Sequence, residues 1–190
     1  MGVVDKVKHF TGSIIIESIF SKHEDHRFLL RRKYESSREN LENKKICFIL
    51  INPSYSDELI YDKTNRLASN MGVRGSFNEV VILNMYSLIT KDTKSLEGKL
   101  EVANHQKNNK IILEECKSAD KIIISWGIDE TFQARRVEVK EIIKNSGISK
   151  DKVCSIVFED KNGKVYNPAH LSRYISDNPP NFKIERYELN

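Results

Sequence analysis

The stretch Phe48–Asp57 reads FILINPSYSD, and it decides the fold. It continues the apolar run that begins at Ile46, and a short apolar run bounded by polar residues predicts a buried β-strand. Pro53 fixes its own φ angle and holds Asn52 in an extended conformation, so the strand ends on a rigid polar corner. This corner either presents the Asn52 amide to a water or ligand, or simply turns the chain and caps a helix.

Strands and helices alternate outward from this segment. Further buried strands are predicted in EVVILNMYSL, DKIIISWG and KVCSIVFED, and helices in YDKTNRLASNMGV, NHQKNNKIILEECKSA and DETFQARRVEVKEIIKNSG. RFLLRRKY and FKIERYEL are possible additional strands. The alternation predicts an α/β fold: a three-layer α/β/α sandwich with a central, mainly parallel four-stranded sheet. We expect one domain over residues 1–190, with its core at about 27–175.

Composition narrows the class of protein. Hydrophobic residues make up 39% of the chain and charged residues 31%, as in soluble globular proteins. Neither a membrane-length apolar run nor a signal peptide is apparent. The three scattered cysteines predict neither a disulfide framework nor a thiolate metal cluster, and the expected compartment is the cytoplasm. The net charge of +4 permits a polyanionic partner without establishing one.

Polar groups follow several of the predicted strands. Asn84 ends one, Ser125-Trp126-Gly127 ends another, and a loop from Asn167 to Ser172 follows the last. Because parallel strands end at one edge of a sheet, these groups are expected to share a rim where ligands bind. Each also has a structural explanation: Asn84 can cap a loop, Trp126 can be core packing, and the last loop can be an exposed turn.

Motifs for metals and cofactors are missing. The sequence has no Walker loop, no G-x-G-x-x-G, no H-E-x-x-H and no G-x-S-x-G. His23 and His26 form a lone H-x-x-H beside acidic residues, which we interpret as a solvated loop rather than a metal site. No cofactor and no metal are therefore predicted.

The order of these corners carries a family resemblance. From Arg27 to Tyr174 the chain resembles a widespread bacterial and phage family known only as a domain of unknown function. The matching pieces are RFLLRR, LINPSYSD, YDKTNR, VVILNMYSLITKDTKSLEG, NHQKNN, IIISWG and VYNPAHL. They cover most of the chain in the family's order, so they imply a fold more than a function.

The same corners are similar to those of the uracil-DNA glycosylase superfamily. LINPSY resembles its first motif, which implies that Asn52 positions the attacking water. VILN implies that Asn84 reads the flipped base, IIISWG resembles the strand that ends in W-G, and NPAHLS occupies the place of the loop that enters the DNA minor groove. Asn167 stands where that family often has a catalytic histidine, which is the main departure.

These similarities imply a set of site residues for a monomeric glycosylase that acts on DNA. The catalytic candidates are Asn52, Asp57 and Asn167. Candidates for binding the base are Ser54, Tyr55, Asn84, Tyr86 and Trp126, and candidates for binding DNA are His170, Ser172 and Arg173.

The expected reaction is hydrolysis of the N-glycosidic bond of a modified or damaged pyrimidine after base flipping, in repair or in defence against phages with hypermodified DNA. Neither a membrane nor a metal cluster is expected to take part. The alternatives are an enzyme on the same fold that processes free nucleotides or nucleosides, and a non-catalytic nucleic-acid-binding module.

Overall fold

The computed structural model describes residues 8–55, 59–176 and 181–189, without the side chains of residues 173 and 174. The strands are β1 Gly12–Phe20, β2 Arg27–Ser36, β3 Glu42–Leu50, β4 Phe77–Asn84, β5 Lys121–Ile124, β6 Val153–Glu159, β7 Val165–Tyr166 and β8 Lys183–Arg186. The helices are α1 Lys63–Arg74, α2 Thr93–Glu97, α3 Gln106–Lys117, α4 Gln133–Asn145 and α5 Leu171–Tyr174. Short 3₁₀ turns lie at Glu130–Phe132 and Lys150–Lys152.

The strands form one mixed sheet. Its order is β1-β2-β4-β3-β5-β6-β7, and β8 also pairs with β6. Strands β4, β3, β5 and β6 run parallel, whereas β1, β2, β7 and β8 pair antiparallel. The α/β class is therefore confirmed, but the prediction of a four-stranded sheet is wrong. The chain outside the alternating region adds antiparallel strands to both edges of the parallel core, so that β4 and β6 are paired on both sides.

Two apolar cores lie on the two faces of this sheet. Cys47 and Ile49 of β3 pack with residues of α3 and α4, whereas Phe48 and Leu50 of the same strand pack with residues of α1 and α5. The parallel strands are thus covered on both faces, which explains why they read as continuous apolar runs rather than alternating ones. Burying each such side chain contributes on the order of 1.5–3 kcal/mol before the entropy of ordering is counted.

Helix α1 approaches the sheet closely because of a glycine. A Cβ atom on Gly72 would lie 2.3 Å from a methyl carbon of Val80 in β4. Only a residue without a side chain fits at this position. The helix continues past Gly72 and ends at Arg74, with Gly75 as its C-cap. The helix therefore packs directly against β4 on this face of the sheet.

The amino ends of the parallel strands carry an ionic network. Glu115 of α3 receives Lys45 Nζ at 3.0 Å and an Arg31 guanidinium nitrogen at 2.7 Å. Arg31 also lies 3.1 Å from Glu79 at the start of β4. These four charged groups are thus paired with one another.

Candidate functional site

A cleft opens at the carboxyl ends of β3, β4 and β5. Its volume is about 1280 Å³, somewhat above the usual range for a small-molecule site. Residues from seven separate segments of the chain line it, including seven of the predicted site residues: Asn52, Ser54, Tyr55, Asn84, Trp126, His170 and Ser172. The strand ends that are distant in sequence therefore meet around one cavity.

The Asn52 amide is held in a single orientation. Its Nδ2 donates to Pro53 O at 3.0 Å and to Thr90 Oγ1 at 2.8 Å. Thr90 gives its own hydroxyl proton to Asp92 O at 2.8 Å, so Oγ1 can only accept from Asn52. Both amide hydrogens are thereby used, and Oδ1 accepts no hydrogen bond from the residues that the structure describes. The corner presents an acceptor, which suits a water or a ligand donor.

Asn84 ends β4 in the floor of the cleft. It is only 2% exposed, and among the described residues its Oδ1 has no hydrogen-bond partner. A buried polar atom without a partner is destabilising by about 1–3 kcal/mol, so such atoms usually indicate a ligand or water site. The side chain is therefore suited to reading a polar edge of a ligand.

Asn108 of α3 supports the backbone at this point. Its buried Nδ2 donates to Asn84 O at 3.0 Å and lies 3.1 Å from Met85 O. These bonds tie the turn after β4 to the helix layer. Asn108 belongs to the NHQKNN segment noted in the sequence, but its supporting position could not be inferred there, because it depends on contact with residues over twenty positions away.

Arg27 reaches the cleft through an irregularity in β2. The register between β1 and β2 shifts so that Ile19 faces Leu29 while Phe20 faces Arg27, and Phe28 is the extra residue. Such a bulge breaks the alternation of faces and re-aims a side chain. Arg27 is 3% exposed and lines the cleft near Asn84. The sequence predicted a strand here and placed Arg27 in the RFLLRR piece of the family pattern, but it gave Arg27 no role and no local signal revealed the bulge.

Ser54 connects the corner to helix α1. Its hydroxyl donates to Asp62 Oδ2 at 2.6 Å, and the other carboxylate oxygen of Asp62 caps the helix by accepting from Asn65 N at 2.7 Å. Asp62 and Asn65 both line the cleft. Asp62 thus links Ser54 to the first turn of α1, and its role as a helix cap is one that carboxylates after a strand commonly have.

Aromatic side chains form part of the wall. Trp126 is buried with its ring edge-to-face to Tyr187 at 6.0 Å, and Phe132 lines the cleft beside it. Arg136 holds this loop by donating to Gly127 O at 3.0 Å and Asp129 O at 2.5 Å. Tyr55 is 74% exposed and lies at the mouth.

The last loop of the site is fastened to the sheet by its backbone. Ser125 Oγ donates to Ala169 O at 2.8 Å, and Ala169 N donates to Ile156 O at 2.7 Å. His170 then caps α5 with Nδ1, which accepts from Ser172 N at 3.4 Å. The side chains of His170 and Ser172 lie along the cleft wall.

Four predicted residues do not take part in the described cleft. Asn167 is exposed, and its Oδ1 accepts from Ser155 Oγ at 2.7 Å instead of lining the cavity. Tyr86 is buried in the core against Phe132, with ring centroids 5.8 Å apart. Asp57 and the side chain of Arg173 lie outside the described residues.

The charge of the cleft is mixed with an excess of cations. The described lining includes five cationic side chains, Arg27, Lys63, Lys91, Lys94 and Lys164, and three acidic ones, Asp62, Asp92 and Asp129. The lysines are exposed along the rim, where they favour a polyanion. Among the described residues, no group of three or more His, Cys, Asp or Glu side chains is placed to hold a metal ion, and none of the described helices is long and apolar enough to cross a membrane.

Comparison with known protein families gives a match that covers most of the chain. The family described as "Protein of unknown function (DUF1643)" matches residues 27–169. The chain belongs to this family. The matched region begins at Arg27 in β2 and ends at Ala169 in the loop before α5, so it contains most of the cleft. No curated protein and no solved structure matches the chain significantly.

Proposed function

We propose that this member of the DUF1643 family is a DNA glycosylase that hydrolyses the N-glycosidic bond of a modified or damaged pyrimidine. The observation that carries the proposal is the meeting of Asn52 and Asn84 at one cleft, each with an amide oxygen that no described residue occupies. One acceptor is suited to holding a water and the other to reading a base edge. The exposed lysines along the rim suit a phosphate backbone.

The chemistry assigns distinct tasks to the two asparagines. The bond from sugar C1′ to the base nitrogen breaks, and its electron pair leaves with the base. The water held by Asn52 adds its oxygen to C1′ and gives up a proton, which finally neutralises the base. Since an amide cannot take that proton, bond breaking must run ahead of water attack, so that the cationic sugar makes the water acidic.

The volume of the cleft bears on the substrate. An extruded nucleotide is enclosed when such enzymes act, and 1280 Å³ exceeds the space that an unmodified base needs. The short side chain of Ser54 leaves space beside one wall of the cleft. These features favour a base enlarged by a substituent, such as a hypermodified pyrimidine of phage DNA, which would place the enzyme in antiviral defence rather than in repair of uracil.

The proposal is tested by direct assay for abasic sites. The protein is incubated with duplex and single-stranded DNA carrying uracil, hydroxymethyluracil, hydroxymethylcytosine or glucosylated hydroxymethylcytosine. We expect release from at least one modified pyrimidine, and we expect Asn52→Ala to reduce it by at least 100-fold. Asn43→Ala is the matched control, because Asn43 is exposed near the amino end of β3, the strand that Asn52 follows. Full activity of Asn52→Ala would refute the assignment.

DNA affinity separates the glycosylase from its rivals. Arg173→Ala is expected to weaken binding for all sequences and to lower the slope of log K against log salt by about one. An enzyme acting on free nucleosides would release base from them and show no salt-dependent binding to DNA. A binding module would bind DNA equally well with Asn52→Ala and release no base.

A further inference from the structure

Departure of the base leaves a negative charge that the cleft must stabilise. Preorganised donors or cations aimed at developing charge are commonly the largest single contribution to such a step. Asn167 is exposed, accepts from Ser155 Oγ through its Oδ1 and does not line the cleft. The lysines of the rim are exposed, so that their field is screened by water.

Arg27 differs from the rim lysines in its burial. Of the described cations that line the cleft, it is the one that is buried. The bulge at Phe28 puts it on the same lining as Ile82 and Asn84 of the neighbouring strand β4. A buried guanidinium acts in a low local dielectric, where its attraction for an anion is several times stronger than in water.

We propose that Arg27 stabilises the anionic base as it departs, an assignment that rests on the proposed glycosylase function. As the C1′–N bond breaks, its electron pair spreads onto the ring nitrogen and carbonyl oxygens of the base, and the guanidinium donates hydrogen bonds to that charge. Asn84 reads the base edge, and Asn52 holds the water. The base is released after taking up a proton from water, while the hydroxyl of that water remains on the sugar.

A leaving-group series tests this role. Single-turnover rates are measured at one pH for substrates that share a sugar and differ in the acidity of the base, using electron-withdrawing 5-substituents. We expect Arg27→Gln to slow poor leaving groups by about 10²–10³-fold, the usual loss of one donor to a developing anion, and good leaving groups much less. Arg27→Lys should restore part of the rate, since it keeps the charge and loses the planar fork.

Two matched variants complete the experiment. Lys91→Gln removes a cation from the exposed rim and should weaken DNA binding without steepening the dependence on leaving-group acidity. His170→Gln tests the other polar ring at the cleft. A uniform loss across the series for Arg27→Gln, or a steeper dependence only in His170→Gln, would overturn the assignment. Circular dichroism verifies that each variant folds.

Free bases give a readout without catalysis. The wild-type protein is titrated with 5-nitrouracil, whose ring is largely anionic near neutral pH, and with uracil, which is neutral. We expect at least tenfold tighter binding of the nitro compound and loss of that preference in Arg27→Gln. Equal binding by the wild type overturns the role of Arg27 even if base release is observed. If the wild type prefers 5-nitrouracil through Arg27 but releases no base from any DNA, the glycosylase proposal is refuted and Arg27 remains an anion-binding group.

Discussion

The polar groups at the two ends of the parallel strands differ in whether they have partners within the described protein. At the amino ends, Glu115 is shared between Lys45 and Arg31, so that each charge has a partner within the protein. At the carboxyl ends, Asn52 and Asn84 each keep an amide oxygen that no described residue occupies. The first arrangement stabilises the fold, and the second leaves binding capacity for a ligand. Substitutions at the two ends should therefore affect different properties.

The largest effect is expected at Asn84. Asn84→Ala removes the side chain that we propose reads the base, and we expect at least a 100-fold loss of base release together with weaker binding of free bases. Because its Oδ1 lacks a partner in the described structure, thermal stability should not fall and can rise. Kinetic assays and melting curves measure both. A large loss of stability would show that the side chain supports the fold instead.

Asn108 tests the support behind Asn84. Asn108→Ala leaves the buried Asn84 carbonyl without its donor, which should lower the free energy of unfolding by about 2 kcal/mol. Urea unfolding measures this change, with Lys107→Ala as the control on the exposed side of the same helix. Unchanged stability would remove Asn108 from its supporting role.

The amino-end network should respond in stability alone. Glu115→Gln takes one negative charge from between two cations, and we expect a loss of about 1–2 kcal/mol because the pairs are largely shielded from water. Base release per folded molecule should remain as in the wild type. A change in kcat or KM at temperatures where the variant is folded would break the contrast between the two ends.

A smaller effect is expected from pH, through the buried His26. Burial is the main reason why the pKa of His26 is lowered from its usual 6.5, and nearby His105 adds to it against the opposing effect of Asp25. The unfolded chain thus binds a proton more readily than the folded one, so stability is lost as the pH falls below about 6.5. Unfolding at pH 7.5 and 5.5 should differ less in His26→Gln than in the wild type. His23→Gln, at an exposed position, should behave as the wild type.

Local patterns predicted the parallel core well. The apolar runs that became β3, β4, β5 and β6 are short and bounded by polar residues, and their burial on both faces is what such runs indicate. The sheet was underestimated because its antiparallel strands pair with partners that local sequence does not specify. Strand β1 illustrates this, since its apolar residues are largely exposed and it was not predicted at all.

The sequence predicted those residues of the cleft lining that follow directly from strand ends. Asn52, Asn84 and Trp126 come immediately after apolar runs, and parallel strands deliver their ends to one edge. Arg27 was missed because only a register shift between two strands turns it into the cleft. Tyr86 was misplaced for a related reason, since the turn after β4 directs its ring into the core rather than toward the cavity.

The direction of one hydroxyl hydrogen decides what the corner after β3 offers to its surroundings. The Thr90 hydroxyl donates its hydrogen to Asp92 O, so the Asn52 amide must direct its nitrogen, and not its oxygen, toward Thr90. A methyl group in place of that hydroxyl, as in Thr90→Val, would free the amide to rotate, and the surface shown to an incoming molecule could change from acceptor to donor. Two loops separated by almost forty positions thus act as one chemical unit, in which the second sets the polarity of the first.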